Sequence, residues 1–184
     1  MSKFPIHTQE SAPEGSKENL GKVAERFGMV PNLYGLMANS PAALKGYMAA
    51  AGELMSSSFS PAEVQLLMLS TSTENGCDYC VAAHTMGSKR AKLDDAVIDA
   101  VRDGNPIADA RLEALRGFCQ TVVQKRGWLD DADVDTFLAA GFTQENVFEV
   151  VLAVGVKTIS NYINHIGHTP LDKAFEPAKW TKAA

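Results

Sequence analysis

Apolar residues recur at helical spacing along most of the chain. In the first such stretch, Leu20, Val23 and Phe27 share one face, and Gly28 follows as a stop signal. The same spacing predicts helices that begin at Ser16, Pro31, Ser40, Ser60, Cys77, Asp94, Ala108, Asp130 and Thr143. No run of alternating apolar and polar residues is flanked by hairpin turns. The pattern therefore predicts an all-α fold.

Capping residues support several of these helix starts. Ser40 and Ser60 each precede a proline, which fits the first turn of a helix, and Glu63 lies where a capping box with Ser60 requires it. Thr143 caps the last long helix. The apolar stripe predicted for that helix consists of Val147, Val150, Val151, Val154, Thr158 and Tyr162.

The length of 184 residues favours a single domain. Residues 1–13 contain Pro5 and Pro13 without periodicity, and we predict that they form an N-terminal arm. Residues 14–169 form the predicted helical domain, and residues 170–184 form a polar C-terminal tail beyond the ordered chain. Apolar residues make up 46% of the sequence, which is enough to build a hydrophobic core.

Charge and hydropathy argue against two classes of partner. The chain carries 17 Lys and Arg against 22 Asp and Glu, and no basic cluster resembles a phosphate-binding surface, so we expect no nucleic-acid partner. The first residues lack an apolar signal region. The longest apolar run near the end, 150–156, is much shorter than the about 20 residues that cross a bilayer. We therefore expect a cytoplasmic protein with no membrane contact.

Residues with thiol and proton chemistry are concentrated between positions 74 and 85. This stretch, Glu-Asn-Gly-Cys-Asp-Tyr-Cys-Val-Ala-Ala-His-Thr, contains Cys77, Cys80 and His84. On a helix that advances about 100° per residue, these three side chains fall within a sector of about 60°. Three cysteines form no disulfide framework, and a Cys-x-x-Cys pair in a reducing compartment indicates redox or metal chemistry. In a redox pair, one thiolate attacks and the other thiol resolves the intermediate.

Either cysteine has a reason to be the nucleophile. Cys77 lies nearer to the helix N-terminus, where the helix dipole stabilises a thiolate. His84 lies one turn from Cys80 and can act as its base, which slightly favours Cys80. Two other interpretations stay open, namely two buried small hydrophobic residues or a zinc site formed by both cysteines and His84. A zinc site would need a fourth ligand from elsewhere, since the sequence holds no second metal-binding knuckle.

The same run, placed after the capped helix at Ser60, resembles the carboxymuconolactone decarboxylase-like superfamily, and within it the alkylhydroperoxidase D (AhpD) branch. The resemblance covers about residues 27–166. The decarboxylases of the superfamily lack the cysteine pair, so its presence favours the thiol-dependent peroxidase branch. The resemblance implies that Cys80 attacks the peroxide, that Cys77 resolves the intermediate, and that His84 is the nearest proton acceptor.

Two positions depart from the family pattern. Gln65 occupies the position of the family's proton-relay glutamate, and Tyr79 stands where characterised AhpD proteins often have a second histidine. Because an amide cannot take up a proton, we expect Glu74 to supply the missing carboxylate. Gln65 and Glu74 are nine positions apart and point in opposite directions on one continuous helix, so only one of them can face the cysteines.

The resemblance also implies an architecture and partners. The expected fold is a single-domain AhpD-like helical bundle that forms homotrimers or hexamers through helical faces. The expected activity is the reduction of small-molecule hydroperoxides, with a lipoyl-bearing protein as dithiol reductant and a peroxiredoxin as redox partner. We expect no bound organic cofactor, since no glycine-rich phosphate loop is present. We also expect no resident metal. The alternatives are a non-enzymatic redox-switch or zinc-binding stress protein, and a carboxymuconolactone decarboxylase-like enzyme.

Several other polar residues are expected to be structural. Cys119 lies on the apolar stripe of its helix, which is typical of an inert buried thiol. Asn161, Asn164 and His165 form a polar cluster on the last helix. For Asn161 and His165 we favour a structural role over a place in an active pocket or a subunit interface.

Overall fold

The computed structural model describes residues 3–182, which form nine α-helices and one 3-10 helix and contain no strand. The α-helices are α1 (Glu14–Phe27), α2 (Asn32–Met37), α3 (Pro41–Met55), α4 (Pro61–Glu74), α5 (Asp78–Arg90), α6 (Asp95–Asp103), α7 (Ala110–Gln124), α8 (Asp131–Ala139) and α9 (Gln144–Gly167). The 3-10 helix is Lys173–Ala178. The predicted all-α fold is confirmed. Met1, Ser2, Ala183 and Ala184, the ends of the predicted arm and tail, lie outside the described residues.

The predicted caps form as hydrogen-bonded structures. Ser60 and Glu63 make the expected capping box at the start of α4, and Pro61 occupies the first turn. Thr143 makes an equivalent box with Asn146 at the start of α9. These side chains satisfy backbone N–H groups that have no partner within the helix, so the starts of α4 and α9 are fixed locally.

Helix α4 lies at the centre of the bundle and contacts α3, α5, α6, α7 and α9. Leu66, Leu67 and Leu69 are fully buried on different sides of it, and residues 70–73 are buried too. A helix that is apolar all round is stable only when other elements surround it. The hydroxyls of Thr71 and Ser72 donate to backbone carbonyls one turn earlier, so these polar side chains are satisfied inside the core.

A tight turn joins α4 to α5 and places both cysteines. Gly76 adopts a left-handed conformation with φ 66°, which costs glycine less than other residues. The N–H of Cys77 then donates to the carbonyl of Ser72 at 2.9 Å, which closes the turn. Cys77 therefore lies at the N-cap of α5 and Cys80 in its first turn.

Both chain ends pack on the bundle. In the predicted arm, the N–H of His7 donates to the carbonyl of Gly35 at 3.0 Å. We expected the C-terminal tail to lie beyond the ordered chain, but it is anchored against α6. Arg102 donates to the carbonyl of Ala178 at 3.0 Å, and Trp180 Nε1 donates to the carbonyl of Arg102 at 2.9 Å. Aromatic and hydrogen-bonding side chains in the tail explain why it folds back.

No single helix among residues 3–182 is long and apolar enough to cross a membrane, although α8 and α9, bent by 111°, pass the test of length and composition as a pair.

Candidate active site

The sulfur of Cys80 lies in a buried polar environment that α9 supplies. Asn164 Nδ2 donates to Cys80 Sγ at 3.1 Å and lies 3.7 Å from Cys77 Sγ. Ser160 Oγ lies 4.0 Å from Cys80 Sγ. Both cysteines are free thiols and are almost completely buried. The asparagine therefore binds the two sulfurs that the redox interpretation pairs.

Lys157 of α9 supplies a buried cation. Its side chain is 0% exposed, and its Nζ lies 2.8 Å from His84 Nε2. Among residues 3–182, no carboxylate lies within ion-pair distance of Lys157. A buried ammonium group needs a compensating negative charge. The nearby sulfur of Cys80 can provide that charge as a thiolate.

The surroundings shift the pKa values of the two thiols in opposite directions. Burial alone opposes a thiolate at Cys80, but the hydrogen bond from Cys77 and the charge and hydrogen bond of Lys157 outweigh it and lower the pKa of Cys80 to about 5. The hydrogen bond to Cys80, followed by burial, raises the pKa of Cys77 well above its usual range. These surroundings favour the thiolate at Cys80 and the protonated thiol at Cys77.

His84 is held as a neutral imidazole between two partners. Gln65 Oε1 can only accept a hydrogen bond, so the proton of His84 lies on Nδ1, 3.1 Å from that oxygen. Nε2 then accepts from the ammonium group of Lys157. Burial and the charge of Lys157 hold the pKa of His84 well below its usual range. The partners of His84 are thus Lys157 and Gln65, whereas the spacing suggested that His84 acts on Cys80 as its base.

The structure brings Gln65, and not Glu74, to the histidine. The carboxylate of Glu74 accepts a hydrogen bond from Gln124 Nε2 at 3.0 Å, and within the described residues it has no hydrogen bond to either thiol or to His84. The expected opposition of these two positions on α4 is therefore present, with Gln65 on the inner side. A catalytic role of Glu74 stays a prediction for which the structure provides no contact.

Tyr79, the other departure from the family pattern, anchors the C-terminal segment. Its hydroxyl donates to Asp172 Oδ2 at 2.5 Å and accepts from the N–H of Leu33 at 3.3 Å. Its ring packs edge-on against Phe175, with 5.9 Å between ring centroids. The tyrosine therefore joins α5 to the segment that covers it.

The polar cluster on α9 divides between the site and the surface. Asn161 is fully buried and accepts a hydrogen bond from Asn75 Nδ2 at 2.9 Å, whereas His165 is exposed and lies beside Tyr162. Neither of them contacts the thiols directly, but Asn164 does. Cys119 is buried against Thr71, and burial raises its pKa to about 12, as expected of an inert thiol.

The sequence analysis missed Lys157, because the predicted stripe lies only partly on the buried face of α9. Val150 of that stripe is fully buried. Val151 and Tyr162 of the predicted stripe are 50% and 56% exposed. The buried face instead includes Lys157, Ser160, Asn161 and Asn164, together with Val150, Ala153 and Val156. A signal was present in the sequence, since the polar residues Lys157, Ser160, Asn161 and Asn164 recur at helical spacing in the second half of α9.

A cavity of about 640 Å³ reaches Cys80, His84 and Lys157. Its walls include Tyr34 and Tyr47, and Cys77 is not part of them. A molecule in the cavity therefore meets Cys80 first, with Cys77 behind it. Among residues 3–182, no group of three or more His, Cys, Asp and Glu side chains could hold a metal ion. Both ring nitrogens of His84 already have partners, so the zinc site considered above lacks one of its ligands.

Residues 41–110 match the family model described as the carboxymuconolactone decarboxylase family. The match runs from α3 to the start of α7 and contains Gln65, both cysteines and His84. This segment belongs to that family. The resemblance inferred from residues 74–85 is confirmed.

Solved structures show that the fold is AhpD-like. An AhpD-core protein from Ralstonia eutropha JMP134, described as an uncharacterized peroxidase-related protein, has a TM-score of 0.84 at 22% identity, over 95% of this chain and 94% of that chain. A peroxidase-related protein from Silicibacter sp. TM1040 has a TM-score of 0.79 at 20% identity, over 94% of this chain and 92% of the other.

A further similar structure carries a different activity in its description. The debrominase Bmp8, as a cysteine-to-alanine variant in complex with 2,3,4-tribromopyrrole, has a TM-score of 0.77 at 13% identity, over 97% of both chains. At these identities the likeness shows the fold alone. No curated protein sequence matches the chain significantly.

Proposed function

We propose that this carboxymuconolactone decarboxylase family member is a thiol-dependent peroxidase that reduces hydroperoxides through Cys80 and Cys77. One observation carries the proposal. The cavity meets the thiol of lowered pKa, Cys80, beside the buried cation Lys157, while the protonated Cys77 lies behind it. The peroxidase-related descriptions of the two similar structures agree with this activity.

In the first step, the thiolate of Cys80 attacks the terminal oxygen of the hydroperoxide. The O–O bond breaks, the sulfur is oxidised to a sulfenic acid, and the alkoxide that leaves needs a proton. The ammonium group of Lys157 supplies it, since this side chain lines the cavity beside Cys80. His84 and Gln65 hold Lys157 in place, which accounts for a site that works without the relay glutamate.

In the second step, Cys77 attacks the sulfenic sulfur of Cys80. A disulfide forms, and the hydroxyl of the sulfenic acid leaves as water with the proton of Cys77. An external dithiol then reduces the disulfide. One of its two protons goes to Cys77. The other returns to Lys157, because Cys80 is left as a thiolate.

The partners of the cycle are proposed on chemical grounds. A lipoyl-bearing protein suits the reductant, because a dithiol on a long flexible arm can enter a cavity that buries the disulfide. A peroxiredoxin is a second redox partner that the family resemblance suggests. The exposed apolar residues on the outer side of α9 suit assembly into a homo-oligomer.

The proposal is tested by peroxide consumption with dihydrolipoamide as reductant. The native protein should turn over hydrogen peroxide and cumene hydroperoxide, and Cys80→Ser should abolish turnover. Cys77→Ser should consume one equivalent of peroxide and accumulate a sulfenic acid at Cys80. Cys119→Ser is the matched control and should keep the native rate, because Cys119 does not line the cavity. No turnover by the fully reduced native protein would overturn the proposal and favour a redox switch.

A further inference from the structure

The charged residues that line the cavity are all positive. They are Arg26, Arg90 and Lys157, and no Asp or Glu side chain is part of the wall among residues 3–182. This is unlike the chain as a whole, in which 22 acidic residues outnumber 17 lysines and arginines. The cavity is therefore a positive region in an acidic protein, which favours the entry of an anion.

Both arginines are available to a ligand. Arg26 and Arg90 are exposed and take part in no ion pair within the described residues. The guanidinium of Arg26 lies over the ring of Phe27 at 5.5 Å, which leaves its edge free. Lys157, by contrast, is already engaged with His84. The arginines can thus bind a carboxylate without breaking an existing salt bridge.

The remainder of the cavity wall is largely apolar. Its side chains include Met29, Leu33, Tyr34, Met55, Met68 and Phe175. Such a wall excludes a small, fully hydrated anion but accommodates an apolar body that carries one charged group. The cavity therefore combines the two features that an amphipathic organic anion requires.

The positions of Cys80 and Arg90 indicate the shape of that anion. They lie ten positions apart on α5 and so are separated by about 15 Å along the helix axis. A molecule that contacts both has its charged end well separated from its reacting end. Even after the reach of the Arg90 side chain is allowed for, an elongated acyl chain fits this separation better than a compact acid.

We infer that the cavity binds elongated amphipathic carboxylates, with the carboxylate at Arg26 and Arg90 and the apolar chain directed toward Cys80. The inference rests on the proposed peroxidase function for its catalytic consequence, which is that hydroperoxides of fatty-acid-like molecules are the substrate class. The reaction at Cys80 is then the one described above. The O–O bond breaks, the sulfur becomes a sulfenic acid, and the product is a hydroxy acid.

The test measures binding without any peroxide. The probe is decanoate, and decanol is the matched neutral molecule. Each is titrated into the fully reduced native protein, and the rate at which iodoacetamide alkylates Cys80 is followed by mass spectrometry. Decanoate should slow alkylation at concentrations at least about tenfold lower than decanol, because a charge-assisted contact with an arginine is available to it alone. Added salt should reduce this difference.

Variants locate the carboxylate. The double variant Arg26→Gln/Arg90→Gln should bind decanoate no better than decanol. Lys45→Gln/Arg126→Gln is the control for net charge, since it also removes two positive charges, from exposed residues that do not line the cavity, and it should behave like the native protein. Equal protection by the two probes in the native protein, or an unchanged preference in Arg26→Gln/Arg90→Gln, would refute the inference. Decanoate binding without peroxide turnover would refute the peroxidase function and leave the binding site intact.

Discussion

Lys157 Nζ lies 2.8 Å from His84 Nε2, with Lys157 buried and His84 half-buried at the cavity wall. A cation thus donates to an imidazole whose proton Gln65 fixes on the other nitrogen. His84 does not take up a second proton, since burial and the charge of Lys157 hold its pKa well below its usual range. The positive charge therefore remains on α9 and faces the sulfur of Cys80, where it stabilises a thiolate.

Lys157→Met should remove most of the reactivity of Cys80 at neutral pH. Without Lys157, its charge and its hydrogen bond no longer offset burial, so the pKa of Cys80 rises from about 5 toward the ordinary thiol range, although the hydrogen bond from Cys77 remains. At an ordinary pKa of about 8.5, only about 3% of the thiol is ionised at pH 7. The rate of alkylation of Cys80 by iodoacetamide should then fall at least about tenfold. Mass spectrometry of the labelled cysteine measures it.

Lys89→Met is the matched control, because Lys89 is an exposed lysine that pairs with Asp95 at 3.0 Å, away from the cavity. It should leave the alkylation rate unchanged. An unchanged rate in folded Lys157→Met would show that another group stabilises the thiolate. Circular dichroism establishes that both variants keep the native helix content.

The pH dependence of Cys80 alkylation follows from its lowered pKa. The thiolate reacts and the thiol does not, so the rate should rise as pH increases through about 5 and reach a plateau before neutrality. The same shift contributes to stability, because the pKa is lower in the folded than in the unfolded chain. That contribution is complete above the unfolded thiol pKa and is lost as pH falls through about 5. An alkylation rate that still rises between pH 7 and 9 would contradict the assignment.

The chemistry of this site could be located from the sequence only where its residues are close together in the chain. Cys77, Cys80 and His84 occupy eight positions of one helix, so their spacing alone predicts a shared face. Lys157 and Asn164 come from a helix about 80 positions away and approach the sulfurs only through the packing of α9 on α4 and α5. No local pattern encodes that approach.

The buried face of α9 was predicted only in part, for a related reason. The helix carries apolar residues on both sides, so its hydrophobic pattern does not identify the buried one. Lys157 can be buried because its ammonium group donates to His84 and is compensated by the thiolate of Cys80. Tyr162, which the hydrophobic pattern assigns to the core, is instead exposed at the surface. Periodicity predicts helices well. It assigns the apolar face of a helix to the core, and buried functional polar residues are exceptions to that rule.

Gly35→Ala should destabilise the protein through the N-terminal arm. A Cβ at Gly35 would lie 2.6 Å from the carbonyl oxygen of His7 and 2.9 Å from Ile6, and the carbonyl of Gly35 already accepts from the N–H of His7. The arm or α2 must shift, and overpacking of this kind typically costs about 1–3 kcal/mol. Urea unfolding followed by circular dichroism measures the change.

Gly46→Ala is the matched control for that substitution. Gly46 is exposed within α3, and a Cβ there meets no atom within 4 Å. Because alanine is the better helix former, the variant should gain roughly 0.5–1 kcal/mol. Equal stabilities of the two variants would show that the arm does not pack against α2 in solution.

The outer side of α9 should mediate self-association. Phe148, Val151, Ile159, Tyr162 and Ile166 are between 40% and 73% exposed and follow one another at helical spacing. An apolar surface of this extent on a 24-residue helix is typical of a protein interface. Tyr162→Glu/Ile166→Glu should therefore reduce the mass of the native assembly, as measured by light scattering after size exclusion, because buried unpaired carboxylates are costly.

Trp128→Glu separates this effect from a general loss of surface hydrophobicity. Trp128 is 88% exposed and lies after α7, outside the apolar surface of α9. It should keep the native mass. The α9 double variant should also keep an alkylation rate at Cys80 close to the native value, since the buried face of α9 carries Lys157 and Asn164. A native protein that is monomeric, or a double variant with the native mass, would contradict the prediction.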